Sequence, residues 1–415
     1  MQEKVDFLIL GTGLAETMLA AILTEKGYKV MVIDSNSSYG SEFTTVSYEE
    51  LVKSDLFTIK KKVSDEDFSG ISREFNVDLI PKLLLMESEL KDVFIEKQID
   101  ELVGFSPIKG SYFYSDKLHP VPKNERSALS CGAIGFMQKT KVARFFYNLR
   151  NLKATKKTMK EEFEYFGLEK DSVDFIGHGI ALHLNDDYLY ERPIITYNRI
   201  IRYIQSIVSY NNSESPFIYP QYGLSDICQG FVRKASCLGC VFMLGANITE
   251  INKQKVKVID PNKQEIEIDF MHLITDPSYI SKKVTKKIIR SVLICKKTGK
   301  GSRSVVFLHS KFNRKNDVFA VILDSETKAC PDGYEIVILS TVKETDDIEK
   351  EISIFIKKFN VIEYYIGERD LYENMSNDYF VTRNVDESSL MDNIYEDVKR
   401  IIKEIEKVSD RKDLQ

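Results

Sequence analysis

The sequence predicts an α/β (α+β) fold with mixed sheets and an inserted all-helical domain, and three observations support this prediction. Near the N-terminus, two apolar runs of strand length flank a glycine-rich turn and an amphipathic helix. Residues 125–210 then place apolar side chains at helical spacing, with few prolines. After residue 211, short apolar runs bounded by turn residues indicate further strands.

The length and composition favour a folded chain of more than one domain. The chain has 415 residues, of which 43% are hydrophobic and 11% aromatic, enough apolar surface for a sizeable core. We expect residues 1–124 and 211–415 to form one discontinuous α/β domain. Residues 125–210 are expected to form the inserted helical domain.

Charge and cysteine usage exclude several classes of protein. With 58 Lys and Arg against 63 Asp and Glu, the net charge is −5, which argues against a nucleic-acid partner. No apolar run reaches the roughly 18 residues that a membrane span needs. Six cysteines are too few for a disulfide framework in a chain of this length. We therefore expect a cytoplasmic protein.

The first forty residues carry the clearest local pattern. Residues 5–10 form a continuous apolar run, as in a strand buried on both faces of a parallel sheet. Apolar residues then recur at helical spacing until Gly27, where a helix would end, and residues 29–33 form a second apolar run. This is the βαβ unit of a Rossmann-like, FAD/NAD(P)-binding type of domain.

The glycine turn of this unit departs from the dinucleotide fingerprint. Gly11 and Gly13 occupy the first two glycine positions, but Glu16 stands at the third. A carboxylate there adds bulk and negative charge where the pyrophosphate should lie. Asp34 could still bind a ribose hydroxyl, so a flavin oxidoreductase stays an alternative. We expect Gly11, Gly13, Glu16 and Asp34 to be a vestigial nucleotide site, with no cofactor.

Further elements follow from the same patterns. Asn124 is a candidate N-cap for the helical segment, and 64–70 is a candidate loop. Helices are expected near 347–358 and 392–406. Strands are expected at 241–244, 256–259, 272–275, 305–309, 318–323 and 335–339.

The sequence shows no convincing catalytic or metal-binding motif. Cys237 and Cys240 have redox or zinc spacing, but no second such pair exists, so buried or half-buried thiols are expected. His178 and His183 lie five residues apart, unlike the pair of a zinc protease, and we expect them to satisfy local polar groups. We expect neither enzymatic activity nor a metal site.

Six segments together resemble the Rab GDP dissociation inhibitors and their relatives, the Rab escort proteins. They occur in the same order between about residues 5 and 280, with weaker similarity at 392–405. The segments are LILGTGLAE (8–16), DSNSSYG (34–40), FNVDLIPK (75–82), SPFIYPQYGL (215–224), QGFVR (229–233) and DPSY (276–279).

The resemblance implies a regulator of vesicle transport rather than an enzyme. Such a protein binds prenylated Rab GTPases in their GDP-bound state, slows GDP release, and extracts them from membranes for recycling through the cytosol. It implies a geranylgeranyl lipid as part of the ligand and transient peripheral contact with membranes. We expect a monomer. A Rab escort protein, which presents Rab to geranylgeranyl transferase, is the nearest alternative, although escort proteins are generally longer.

The resemblance also implies which residues bind Rab. The positions that match the family's platform are Tyr39, Asp226, Arg233, Val241 and Met243. Asp226 stands where the family usually has Glu, and Val241 where Thr is usual, which puts affinity or selectivity for particular Rab proteins in question. Without the resemblance, Tyr39 would be read as packing its own turn and Arg233 as paired within the chain.

The helical segment is the candidate lipid-binding region. Each buried methylene of a prenyl chain contributes about 0.8 kcal/mol, so extraction requires an apolar pocket. Aromatic stripes of this kind are also typical of an ordinary core. The basic stretch 139–160 has eight Lys and Arg and no acid, so it either forms a solvated helix face or approaches an anionic membrane. Candidate pocket walls are Phe136, Phe145, Phe146, Leu149, Phe175 and Ile176, together with Leu152 and Ile180.

Overall fold

A computed structural model describes residues 4–124, 127, 131–149, 156–209, 213–374, 376 and 378–412. Among these, no helix has the length and apolar composition that a membrane span requires. The helices are α1 (Leu14–Glu25), α2 (Tyr48–Lys53), α3 (Glu89–Glu96), α4 (Lys139–Leu149), α5 (Met159–Tyr165), α6 (Lys170–Asp174), a π-helix (Phe175–Ile180), α7 (Pro193–Ser209), α8 (Ser225–Cys237), α9 (Ile348–Ile356) and α10 (Asp392–Lys412).

The strands form two large sheets and two small ones. They are β1 (Lys4–Leu10), β2 (Val30–Ile33), β3 (Thr45–Val46), β4 (Ile59–Lys62), β5 (Val77–Asp78), β6 (Leu84–Leu85), β7 (Phe105–Pro107), β8 (Gly110–Tyr114), β9 (Leu118–Pro120), β10 (Phe217–Pro220), β11 (Val241–Met243), β12 (Asn247–Asn252), β13 (Lys255–Ile259), β14 (Glu265–Thr275), β15 (Val284–Lys296), β16 (Arg303–Phe307), β17 (Val318–Asp324), β18 (Tyr334–Val342), β19 (Val361–Tyr372) and β20 (Phe380–Val381).

The N-terminal βαβ unit forms as the sequence predicts. β1 lies between β2 and β14 and pairs with both in parallel, which explains its continuous apolar run. α1 crosses over between β1 and β2 and is buried along most of its length. Gly27 follows the helix with φ of +87°, a left-handed conformation that glycine adopts without strain.

The sheet that contains this unit has the strand order β11-β2-β1-β14-β13-β12, with β20 paired to β14. The pairs on the β11 side are parallel, whereas β12, β13 and β14 are antiparallel. β11 is therefore an edge strand of the sheet and pairs with β2 of the N-terminal βαβ unit. The prediction of an α/β fold with mixed sheets is confirmed.

The second sheet has the order β4-β19-β15-β18-β17-β16-β8-β9 and is antiparallel except for the pair β8 and β16. One face of this sheet packs against α9, in which Ile352 and Phe355 are fully buried. All six predicted later strands are present. The sequence did not predict β3 to β10, β12, β15, β19 or β20, although β15 and β19 are longer than any strand that it predicted.

The segment between the two parts of the α/β region is helical, as predicted. Asn124 accepts a hydrogen bond from the backbone N–H of Ser127 at 2.9 Å, as a cap does, while most of the residues that follow lie outside the described ranges. Leu152 also lies outside them. A single hydrophobic core includes Phe145 and Tyr197 of the helical segment together with Phe7 and Ile9 of β1. The division into two domains therefore stays a prediction.

The cysteine prediction is correct for one member of the Cys237 and Cys240 pair. All six cysteines are free thiols, and Cys240 is buried. Cys237 is exposed, because it is the last residue of α8 and lies beyond the buried face of that helix.

Candidate functional site

The glycine turn between β1 and α1 has the backbone shape of a dinucleotide-binding turn. Gly11 adopts φ of +108°, a conformation that L-residues with a side chain rarely adopt. Gly13 is the N-cap residue of α1 and contributes no side-chain cap. The turn is therefore intact, and the difference from a working site lies in the side chains around it.

The Glu16 side chain folds back over this turn. A Cβ atom placed on Gly13 would lie 2.6 Å from Glu16 Oε2, so the carboxyl group occupies the space that the second glycine normally leaves open. Thr382 Oγ1 donates a hydrogen bond of 2.6 Å to Glu16 Oε1. Burial, together with the nearby Asp276 carboxylate, raises the pKa of Glu16 to about 8. The group therefore keeps its proton at neutral pH.

Asp34, at the end of β2, is fully buried and already has several donors within the chain. One oxygen accepts from the backbone N–H of Thr12 at 2.8 Å and from Ser41 Oγ at 2.9 Å. The other accepts from the backbone N–H of Asn36 at 2.8 Å and from Tyr279 OH at 3.2 Å. Its acceptor capacity is used internally, which leaves little for a ribose hydroxyl.

These two residues do not fit a bound dinucleotide. Glu16 fills the approach to the turn, and Asp34 holds the turn itself. A cavity of about 300 Å³ lies against the turn, and its wall includes Glu42, Lys82, Arg199 and Asp276. Sequence reasoning did not find Lys82, Arg199 or the Glu16 partner Thr382. They come from remote segments, and no motif links them to the turn.

The predicted Rab-binding residues lie around the β11 edge of the same sheet. Tyr39 is in the loop after β2, and its ring makes an edge contact with Phe242 of β11, with 5.9 Å between ring centroids. Asp226 and Arg233 are both on α8, two turns apart and so on one face of the helix. Three residues join α8 to β11, which carries Val241 and Met243. The structure thus brings all five to neighbouring elements.

Arg233 and Asp226 differ in how much water they contact. The Arg233 side chain is exposed, and no ion pair or hydrogen bond involves it within the described residues. Asp226 is half-buried at the start of α8, and burial raises the pKa of its carboxyl group. Asp226 also lines a groove of about 340 Å³ together with Thr45, Arg73 and Tyr222. The alternative that Arg233 is paired within the chain does not hold in the described part of the structure.

Tyr39 and the two β11 residues contribute to different faces of the sheet. Phe242 belongs to the core that contains α1 and α8, whereas Met243 packs on the opposite core, with Met31 and Ile33. Because side chains alternate along a strand, Val241 lies on the Met243 side, where 46% of it is exposed. Tyr39 packs against its own turn, as expected for it without the family resemblance, and its side chain is also partly exposed to solvent.

The candidate lipid-binding residues divide into one exposed and several buried side chains. Phe136 is 86% exposed, next to Met137 at 80%, in a short 3-10 helix. Phe145 is fully buried between Phe163, Phe166 and Tyr197. Leu149, Phe175, Ile176 and Ile180 are buried and Phe146 is half-buried. Most of the set therefore forms an ordinary core in this conformation, and a lipid could reach it only if the helices separated.

The basic residues of the same segment point to solvent. Lys141, Arg144, Lys156, Lys157 and Lys160 are all exposed. Lys156 and Lys160 lie over exposed tyrosine rings, with Lys156 Nζ 4.7 Å from the Tyr165 ring centroid, and Arg144 lies over the buried Phe166 ring. Arg150 and Lys153 lie outside the described residues. A basic surface with interleaved aromatic rings results.

Comparisons with known proteins show the family of this chain. The family model described as GDP dissociation inhibitor matches residues 1–411. A Rab GDP-dissociation inhibitor of Saccharomyces cerevisiae is 31% identical over 423 residues, which cover 95% of this chain and 93% of that protein. The crystal structure of a Rab GDI from Plasmodium falciparum has a TM-score of 0.84 and 28% identity, and the match covers 98% of each chain.

A more distant neighbour has the same type of fold. An oxidoreductase from Methanosarcina mazei has a TM-score of 0.61 at 13% identity, over 97% of this chain and 100% of that one. At this identity the likeness concerns the fold alone. The family model covers nearly the whole chain, and the family resemblance predicted from the six sequence segments is confirmed. The chain belongs to the GDP dissociation inhibitor family.

Proposed function

We propose that this protein is a Rab GDP dissociation inhibitor that binds GDP-bound, prenylated Rab GTPases, slows GDP release, and extracts them from membranes for transport through the cytoplasm. The main support is the Arg233 guanidinium, an exposed cation without a partner in the described residues, at a position that matches the family's Rab-binding motif. Arg and Tyr are the residue types that most often anchor protein interfaces. Tyr39 and Arg233 are therefore the proposed anchors.

The departures at two platform positions tune this proposed interface. The Asp226 side chain is one methylene shorter than the usual Glu and is half-buried, so its carboxylate extends less far toward a bound partner. Val241 offers an exposed apolar side chain where a hydroxyl is usual. We expect a Rab surface that contacts Val241 to be apolar at that point, because an unpaired buried polar group would cost binding energy.

The decisive experiment is extraction of a doubly geranylgeranylated Rab from liposomes, loaded either with GDP or with a GTP analogue. The wild-type protein should release the GDP form only. A Tyr39→Ala, Arg233→Ala double variant should lose at least tenfold in extraction, since two anchors are removed. Lys300→Ala is the matched control, because Lys300 is also exposed but lies in the loop between β15 and β16 of the other large sheet. Equal extraction by the double variant and the control would contradict the proposed platform.

We further propose that the helical segment receives the geranylgeranyl chains. Phe136 and Met137 offer exposed apolar contact at the entrance, and the buried aromatic core beside them would supply the walls after the helices separate. Phe136→Ser should weaken binding of prenylated Rab severalfold and leave binding of unprenylated Rab unchanged. The same loss with unprenylated Rab would place Phe136 at the protein interface instead.

The exposed basic residues give the proposed peripheral contact with membranes. Each basic residue near an anionic leaflet contributes about 1 kcal/mol of attraction at moderate ionic strength. Charge reversal at Lys141, Lys156 and Lys157 should weaken extraction from anionic liposomes more than from neutral ones. Equal effects on both liposome types would remove this part of the proposal.

The proposed role requires neither a partner copy of the chain nor a cofactor. We propose a monomer that acts without catalysis and without flavin, because Glu16 and Asp34 leave no fit for a dinucleotide. The purified protein should lack an oxidised-flavin absorption band after incubation with flavin adenine dinucleotide. Light scattering should give the mass of one chain, about 47.8 kDa.

A further inference from the structure

Three polar side chains converge at the π-helix, whose apolar residues Phe175, Ile176 and Ile180 belong to the candidate lipid-binding set. Asp174 ends α6, His178 lies one turn later within the π-helix, and Asp186 opens a 3-10 helix (Asp186–Tyr190). One ligand atom of each lies within 4.8 Å of the other two. Asp174 and His178 are buried, and Asp186 is partly exposed, so the cluster is reached from solvent on one side only.

The orientation of the His178 ring is fixed by its other nitrogen. His178 Nδ1 lies 2.7 Å from Asp317 Oδ2, and Asp317 is fully buried. The second oxygen of Asp317 accepts from the backbone N–H of His309 at 2.8 Å, which holds the carboxylate in place. Asp317 holds the proton on Nδ1, so the ring offers the lone pair of Nε2 once the Nε2 proton, which Asp186 accepts, has left. A carboxylate behind a histidine in this way is the usual support of a metal-binding imidazole.

The spacing of the remaining atoms suits a shared metal ion. His178 Nε2 is 3.1 Å from Asp186 Oδ1. Nitrogen and oxygen ligands each lie about 2.1 Å from a bound Zn²⁺, which places two of them about 3.0 to 3.4 Å apart. His178 Nε2 and Asp186 Oδ1 therefore already have the separation of two ligands of one ion. His309 Nε2 is 3.6 Å from the other oxygen of Asp186 and supports it from behind.

Asp174 supplies the third donor and is held by a replaceable cation. Lys170 Nζ lies 3.0 Å and 3.1 Å from its two carboxylate oxygens. The Lys170 side chain is 67% exposed, whereas that of Asp174 is 6% exposed. A flexible, solvated ammonium group is easily displaced from a buried carboxylate by a divalent ion of higher charge density.

We propose that Asp174, His178 and Asp186 bind a divalent transition metal of the Zn²⁺ class, with water completing the coordination. One imidazole and two carboxylates, with no thiolate, form a nitrogen and oxygen donor set that suits Zn²⁺ better than Mg²⁺ or Ca²⁺. Binding releases the Nε2 proton to solvent and frees Lys170 from Asp174, and no electron is transferred. π-helices are rare and occur frequently at functional sites.

The bound ion would connect the helical segment to the large antiparallel sheet. Asp174, His178 and Asp186 belong to the helices, whereas Asp317 and His309, which support them, adjoin β16 and β17. The ion would therefore oppose movement of these helices away from the sheet. Its expected effect is a higher midpoint of thermal unfolding in the presence of metal.

The experiment is titration of the full chain with Co²⁺ and then Zn²⁺, in a Cys237→Ser background that removes the exposed thiol. One equivalent of Co²⁺ should give a visible d–d absorption band, and Zn²⁺ should displace it. Asp174→Asn should weaken binding at least tenfold. Lys170→Ala should tighten it, because the competing ammonium is gone. Asp187→Asn is the matched control, since Asp187 is the exposed neighbour of Asp186.

Two outcomes would overturn the proposal. The first is a folded protein that shows no d–d band and no thermal shift with either metal. The second is equal affinity in wild type, Asp174→Asn and Lys170→Ala, which would place the metal elsewhere. His178→Gln is not the main test, because loss of the Asp317 contact could impair folding. In the described part of the chain, Lys170 is the only side chain that donates a hydrogen bond to Asp174, so the Asp174→Asn variant should fold.

Discussion

The glycine turn and the β11 edge lie on the same sheet and have opposite relations to solvent. At the turn, Glu16 and Asp34 are buried and use internal partners, including Thr382 and Thr12. At the edge, Arg233 is exposed and without a partner in the described residues. The comparison teaches that the chain itself closes the turn where a dinucleotide would lie in this type of fold. The capacity to bind another molecule is concentrated at the neighbouring edge.

The strongest test of this comparison is Asp34→Ala. Removal of the buried carboxylate leaves the Thr12 and Asn36 backbone donors and the Ser41 hydroxyl without their acceptor. We expect a loss of about 3 kcal/mol in the free energy of unfolding, measured by urea denaturation. A loss below about 1 kcal/mol would show that the turn does not depend on Asp34.

The second test concerns the proton on Glu16. Its pKa is about 8 in the folded protein against a reference value of 4.5, so the folded state binds this proton more tightly than the unfolded state. The contribution of Glu16 to stability is therefore present below pH 4.5 and is lost as the pH rises through 8. Between pH 5 and pH 8 the loss should be on the order of 3 kcal/mol.

Glu16→Gln isolates this effect, because glutamine has no ionisable proton but can still accept from Thr382. The variant should show a flatter dependence of unfolding free energy on pH over the same range, and it should be the more stable protein at pH 8. Parallel pH profiles for the variant and the wild type would contradict the assigned pKa.

The third test is a double-mutant cycle at the turn. Gly13→Ala brings a methyl group to 2.6 Å from Glu16 Oε2 and should cost about 1 to 2 kcal/mol. Because Gly13 has φ of −62°, the backbone itself accepts alanine. In a Glu16→Ala background the same substitution should be nearly neutral. An unchanged cost in that background would show that Glu16 does not fill the approach to the turn.

The smallest expected effect on stability is at the open edge. Arg233→Ala and Tyr39→Phe should each change the free energy of unfolding by less than about 0.5 kcal/mol, since neither removes a buried contact. Tyr39→Ala should cost about 1 kcal/mol through its edge contact with Phe242. A large destabilisation by Arg233→Ala would mean that the edge is structural, as the turn is.

Local patterns predicted the first unit of the fold well. β1, α1 and β2 follow one another within 33 residues, and their apolar runs and Gly27 are visible in the sequence itself. β15 and β19 were missed because their partners are remote: Ile289 pairs with both Thr341 and Glu368. The first four residues of β15 are exposed, and Arg290 and Ser291 interrupt the apolar run of its eight buried residues. β19 mixes charged and aromatic residues, so it shows no clear alternation.

The site residues that belong to a sequence motif could be predicted. The site residues that only tertiary packing brings together could not. Charge reasoning identified Glu16 as incompatible with a pyrophosphate, and the structure shows the same residue over Gly13. Thr382 and Arg199 could not be predicted, because their proximity arises from tertiary packing alone. The resemblance supplied Tyr39 and Arg233, whereas the exposure of Arg233 required the structure.

The hydrogen bond between Glu16 and Thr382 has a consequence for synthesis on the ribosome, because it spans 366 positions of the chain. At about 5 to 20 residues translated per second, Thr382 emerges roughly 20 to 70 seconds after Glu16. β1 also waits for β14 before it has a neighbour on its second side. During translation the free edge of β1 therefore stays unpaired until β14 has emerged, and the turn stays open until Thr382 has emerged.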